Sequence, residues 1–204
     1  MADATPTRQR LLDAGMALFA QQGFRSTTVG EIEAAAGLQP RRGALYKHFA
    51  SKQDLLVAAV RNELERAAAG AIAIADIDLG GALDTGDDAS RPLLVAIGRW
   101  FLDEMDRLRD LTLVVEHDGS RMPDLTAALK SDMVDLSYRT ATALLVAAAP
   151  GLRDPEATAV LTLGSLVALR RTAWTFGAPP LDLDDERALD AWADLVLASV
   201  ASSG

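Results

Sequence analysis

Apolar residues recur three and four positions apart along most of this chain, and strict alternation is nearly absent, so the pattern predicts helices and no sheet. Thr5 and Pro6 have the character of an N-cap and a first-turn proline. They open a helix whose stripe is Leu11, Ala14, Leu18 and Phe19 and which Gly23 closes. Thr28 and Glu31 stand three apart as a capping box for a short second helix ending at Gly37. Pro40 marks the expected start of a third helix, with Leu45 and Phe49 on its inner face. Ser51 and Asp54 open a fourth, carrying Leu55, Leu56, Ala59 and Val60 to about Ala75.

Residues 76–90 interrupt the periodicity with glycine and aspartate and read as a loop. The next helix presents Leu93, Ile97, Trp100, Phe101, Met105 and Leu108 on one face, and a short segment around LTLVVEH follows. A long helix is expected from about Pro123 to Ala149, where Pro150 and Gly151 stop it. The helix after Pro155 is apolar almost all round, with Gly164, Ser165 and Ala168 interspersed. The last helix aligns Leu189, Trp192, Ala193, Val196, Leu197 and Val200. The expected fold class is therefore all-α, with about nine helices.

Composition narrows this picture. Half of the 204 residues are apolar, enough for a sizeable core, and there is no cysteine, which excludes disulfides and thiolate metal sites. The first residues lack the apolar run of a signal peptide, and the stretch 159–169 is too short to span a bilayer, so a soluble, cytoplasmic chain without a membrane partner is expected. The net charge of −9 is unevenly spread: residues 1–53 hold seven basic and four acidic groups, a balance of +3, leaving −12 on the rest. A small basic head on an acidic body fits a nucleic-acid reader better than the total suggests.

The chemistry concentrates in residues 28–57, where two short helical patterns flank a glycine-containing turn and the second carries Arg41, Arg42, Tyr46, Lys47 and His48. This is the plan of a helix-turn-helix, whose second element is held by apolar anchors and offers basic side chains to a groove. Either arginine could grip a guanine edge in a bidentate manner, or both could contact phosphate. The run from Thr7 to Leu56 closely resembles the DNA-binding domain of the tetracycline-repressor (TetR) family. The resemblance is carried by Leu18-Phe19, Gly23-Phe24, Thr27-Thr28-Val29, Ile32, Ala36-Gly37, Gly43-Ala44-Leu45-Tyr46, His48-Phe49, Ser51-Lys52 and Leu55-Leu56. It implies that Thr28, Tyr46 and Lys52 hold phosphates while Ala44, Lys47 and His48 face the groove; Thr27 and Gly43 join the candidate DNA-binding set, as do Arg41 and Arg42, which do not align with the family and enter on their chemistry alone. The chain departs from the family at one point. Where many members place three residues between the two glycines, Leu38, Gln39, Pro40, Arg41 and Arg42 make five.

The resemblance also implies a reading domain at 1–53 and an effector-binding and dimerisation domain at 54–204, matched to the family only in plan. Candidate effector contacts are Trp100, Phe101, Met105, His117, Met122, Met133, Tyr138 and Trp174, with Glu116 and Arg121 as further polar anchors. They suit a largely apolar small molecule. The competing reading of the same aromatic and methionine stripes is plain core packing. No cofactor or metal is expected, since His117 has no second histidine or thiol beside it in the body. The last two helices are expected to pair two chains about a two-fold axis, matching a palindromic operator on double-stranded DNA. The function expected is that of an effector-responsive regulator, a repressor rather than an activator. The rivals are an enzyme, for which no nucleophile or phosphate-loop motif is present, and a helical interaction protein that regulates without DNA.

Overall fold

A computed structural model describes residues 6–75 and 90–201, the side chains of 68–75 apart. Numbered in chain order, the described α-helices are α1 (Thr7–Ser26), α2 (Val29–Ala35), α3 (Lys52–Ala75), α4 (Ser90–Arg107), α5 (Arg109–Asp118), α6 (Pro123–Leu129), α7 (Leu136–Ala148), α8 (Pro155–Phe176) and α9 (Asp185–Ala201). No strand is found among the described residues, as the periodicity predicts. The loop expected at 76–90 lies outside the described residues, except for Ser90, which begins α4; Thr5 also lies outside them.

Two compact units are present: residues up to Gly70 together with Leu108–Met133, and Ala71–Arg107 together with Val134–Gly204. Compactness thus groups α5 and α6 with the N-terminal helices, although they lie well beyond the boundary expected at residue 53.

The first unit is built around Leu11, Leu12, Phe19, Ile32, Leu45, Leu55, Leu56, Leu111 and Val114, all essentially inaccessible to solvent. Each such side chain contributes about 1.5–3 kcal/mol by leaving water. These residues come from every helix of the unit's N-terminal part and from α5, so the reading head and α5 share one core. Helix α1 runs past Gly23 to Ser26, but Gly23 itself is non-helical at φ 79°, ψ 160°, a conformation open to glycine and costly for other residues.

The second unit is centred on Leu94, Leu102, Leu145, Leu166, Leu189, Trp192 and Val196. Helices α4 and α9 meet at Gly98, where an added Cβ would stand 2.6 Å from a Leu189 methyl and 3.1 Å from the Trp192 ring. Trp192 also donates its indole N–H to the Thr162 carbonyl at 2.9 Å, fastening α9 to α8. Helix α8 begins as the sequence pattern indicates: Asp154 caps the Ala157 N–H at 2.9 Å and Pro155 occupies the first turn. It ends at Gly177, which adopts a left-handed conformation.

Two expectations about helices are corrected. The single helix expected from Pro123 to Ala149 is divided into α6, a π-helical stretch Lys130–Asp135 and α7. The wider turn shifts the phase of the side chains between Leu129, buried in the first core, and Leu145, buried in the second. The helix expected from Pro40 is reduced to one 3-10 turn, Leu45–Lys47, because the preceding backbone visits the left-handed region at Arg41 (φ 61°) and Gly43 (φ 71°). Neither conformation can lie within a right-handed helix.

Candidate nucleic-acid interface

The exposed edge of the first unit is built on α2, the turn after it and the 3-10 turn. Thr28 caps α2 through a complete capping box: its hydroxyl accepts the Glu31 N–H at 3.3 Å, and the Glu31 carboxylate accepts the Thr28 N–H at 2.6 Å. The bond from the Thr28 backbone, aided by its hydroxyl, holds the Glu31 carboxyl below the usual carboxylate range. Thr28 remains exposed at the helix end, where the positive pole of the peptide dipoles suits an anion.

The turn itself is organised by a residue that the motif does not include. Glu33 is fully buried, and its carboxylate accepts the Arg41 N–H at 2.7 Å with one oxygen and the Leu45 N–H at 3.0 Å with the other. Holding Arg41 at positive φ costs about 1–2 kcal/mol. Two hydrogen bonds from the backbone to the Glu33 carboxylate and the burial of Leu45 and Phe49 act against that cost. Its outward side carries Arg41, Arg42, Tyr46, Lys47 and His48, all exposed, with Gly43 and Ala44 half-buried between them. Tyr46 is 60% exposed, so its ring and hydroxyl are open to solvent rather than packed in the core. Arg41 folds back along α2, its Cγ lying 3.6 Å from where a Gly30 Cβ would be. Behind the edge the Arg8 guanidinium stands 5.3 Å from the centre of the Phe49 ring.

Two of the expected contacts are engaged inside the protein. Thr27 is fully buried and donates its hydroxyl to the Gly23 carbonyl at 2.9 Å, so the structure places it behind the exposed edge rather than on it. Lys52 donates to the carbonyls of Phe24 and Thr27, both at 2.6 Å, and lies 4.2 Å from the centre of the Phe24 ring. Burial pushes its ammonium below the usual lysine range, against the opposing attraction of Asp118. Lys52 therefore closes the end of α1, and at most one of its three N–H donors remains for a phosphate.

Asp118, at the end of α5, completes this corner. It is almost fully buried, accepts the Phe24 N–H at 2.7 Å and pairs with the Arg121 Nε at 2.8 Å. A groove of about 380 Å³ runs between residues 21–26 and His117, Asp118 and Arg121.

The candidate effector contacts fall in both units. His117, Met122 and Met133 belong to the first: His117 is exposed in the groove just described, Met122 is buried in the core, and Met133 packs against that core. Trp100, Phe101, Met105, Tyr138 and Trp174 belong to the second and are all partly buried. Phe101 packs on the second core, and Trp174 donates its indole N–H to Asp106 at 2.8 Å. Among the described residues no group of three His, Cys, Asp or Glu side chains is placed to hold a metal, and no helix is long and apolar enough to cross a membrane.

A capped α2, a fixed turn and an exposed basic edge on a helical body define a helix-turn-helix protein. Residues 11–59 match the sequence model of the bacterial regulatory proteins of the tetR family. The chain is 53% identical over 53 residues to the HTH-type transcriptional regulator AcrR of Shigella flexneri, covering 26% of this chain and 24% of the relative. It is 39% identical over 67 residues to the regulator UidR of Escherichia coli K12 (33% of each chain). It is 41% identical over 58 residues to the repressor KstR2 of Mycobacterium tuberculosis (28% of each). The similarity spans only a quarter to a third of these relatives. Along its whole length the fold is that of a TetR-like transcriptional regulator from Rhodococcus sp. RHA1, with a TM-score of 0.67 at 21% identity over 98% of this chain and 99% of the other. A TetR-family regulator from Streptomyces coelicolor aligns with a TM-score of 0.61 at 19% identity over 97% and 95%. Residues 11–59 thus match the tetR-family sequence model, and the chain as a whole has the fold of the TetR-like structures.

Proposed function

We propose that the chain is an effector-responsive transcriptional repressor that works in the cytoplasm and binds a palindromic DNA operator as a homodimer. The observation that carries this reading is the exposed row Arg41, Arg42, Tyr46, Lys47 and His48, displayed on a turn anchored by buried Leu45 and Phe49. Lys47, Arg42 and Tyr46 supply charge and hydrogen bonds to phosphates or base edges, and Thr28 offers a helix end to a phosphate. The relatives of the matched domain are themselves regulators or repressors, which supports the same reading. No step of this action makes or breaks a covalent bond, so the chain is read as a non-enzyme.

Dimerisation through α8 and α9 is supported by what those helices leave uncovered. Only Ala159 and Leu166 of α8 are buried, while Leu161 is 74% exposed and Val160 and Phe176 are also open to solvent. A Cβ at Gly164 would meet nothing within 4 Å, and Leu195 of α9 is exposed as well. An apolar face of this kind is expected to be covered by a second copy.

The effector is proposed to be a small, largely apolar molecule taken up among Trp100, Phe101, Met105, Tyr138 and Trp174. The chain passes from the second unit into the first at Arg107–Leu108 and ends α5 on Asp118, which holds the Phe24 amide. A shift of α5 on effector binding would thus reach the end of α1 and the α2 cap. The release it can drive is bounded by the effector's differential affinity for the two states. A gel shift with the DNA upstream of the chain's own gene tests the reading: retardation by the wild type, relieved by Lys47→Ala, supports it. Absence of any retardation at low salt refutes it.

A further inference from the structure

The five-residue stretch Leu38–Arg42 raises the question of what fixes the reading edge when its connection is long. Short-range backbone bonds cover only the ends of the turn: the Leu38 N–H donates to Glu33 O at 2.8 Å, and the Phe49 N–H to Leu45 O at 3.0 Å. Between them the backbone takes positive φ at Arg41 and Gly43, so no helical ladder can form there. The side chain of Glu33 takes the place of that ladder. Its two oxygens bind the Arg41 and Leu45 N–H groups at 2.7 and 3.0 Å, four residues apart on either side of Arg42, Gly43 and Ala44. The carboxylate is wholly buried, so it does not itself meet a ligand.

We propose that Glu33 is a positioning residue that sets the sequence discrimination of the 41–48 edge without touching DNA, an inference that rests on the DNA-binding reading above. A carboxylate offers an acceptor on each oxygen and so matches two converging N–H groups. Glutamine offers one oxygen and turns an NH₂ group against the second N–H, and alanine leaves both unmet. Loss of the clamp frees the backbone under Arg41 and Arg42. Phosphate attraction tolerates that freedom, because it depends on charge, whereas base-edge recognition requires a fixed direction.

The test uses a duplex selected by the wild-type chain from a random-sequence pool, compared with unselected random duplex at one salt concentration. Glu33→Gln and Glu33→Ala are expected to weaken binding to the selected duplex roughly 10- to 100-fold, as the loss of one well-aimed base contact does. Affinity for random duplex and its salt dependence should stay near wild type, since no phosphate contact is removed. An unchanged ratio of selected to random affinity in folded variants overturns the proposal and leaves the DNA-binding reading intact. A wild-type chain that selects no sequence overturns both. Should neither variant fold, amide exchange in the wild-type chain decides. The Arg41 and Leu45 amides should be protected while Arg42 and Gly43 exchange freely, and an Arg41 amide that exchanges as fast as that of Arg42 overturns the clamp.

Discussion

The carboxylate of Asp118 accepts the backbone N–H of Phe24 at 2.7 Å, joining two residues that lie 94 positions apart. Phe24 directly follows the non-helical Gly23, so the bond supplies an acceptor to an amide freed by the break in α1. Asp118 also faces Arg121 and draws on the charge of Lys52. Asp118→Ala is expected to destabilise the chain by about 2–3 kcal/mol, since it strands a buried donor and removes a charge partner. Asp118→Asn, which keeps an oxygen for Phe24, should cost less than half of that. Urea midpoints at pH 7 measure both, and equal losses for the two variants would show that the charge rather than the acceptor matters.

The capping box of α2 predicts a dependence on pH. Glu31 has its carboxyl lowered below the ordinary value of 4.5 by the Thr28 bonds, so the unfolded chain binds the proton more readily. Its contribution to stability is therefore complete above that ordinary value and is lost as the pH falls through the folded one. The stability difference between wild type and Glu31→Gln should be constant between pH 6 and 8 and shrink progressively in the acid range below about 4.5. A difference that grows on acidification would contradict this assignment.

Most of the fold was legible in the hydrophobic pattern, because its helices bury single stripes and carry recognisable ends. The Thr28 capping box, the start of α8 at Pro155 and the anchors Leu45 and Phe49 all stand where the sequence indicates. The organising acids were less legible, and for one physical reason. Glu33 falls in the stripe of Val29, Ile32 and Ala36, and Asp118 continues that of Leu111 and Val114. An acid on an apolar stripe signals a buried carboxylate with a structural task, yet its partners are backbone groups that leave no mark on the sequence. The π-helical turn at Lys130–Asp135 was hidden for a related reason, since either side of it continues a helical period.

The exposed row on α8 predicts the state of association. Leu161 is 74% exposed in the single chain, so a charge there is harmless to a monomer and disruptive to an interface. The wild type is expected to sediment as a dimer, and Leu161→Glu to shift toward the monomer mass with its helical content retained. A wild type that sediments as a monomer at micromolar concentration would remove dimerisation from the account.

The central claim is that the 41–48 edge holds DNA, and the salt dependence of binding tests it most directly. Each phosphate contact releases condensed counterions, so the logarithm of the binding constant should fall steeply and linearly with the logarithm of salt concentration. Measured on duplex from upstream of the chain's own gene, Lys47→Ala and Arg42→Ala should weaken binding, and a variant that loses a phosphate contact should lower the slope by about one. A flat salt dependence in the wild type, or undiminished binding by both variants, would contradict the account.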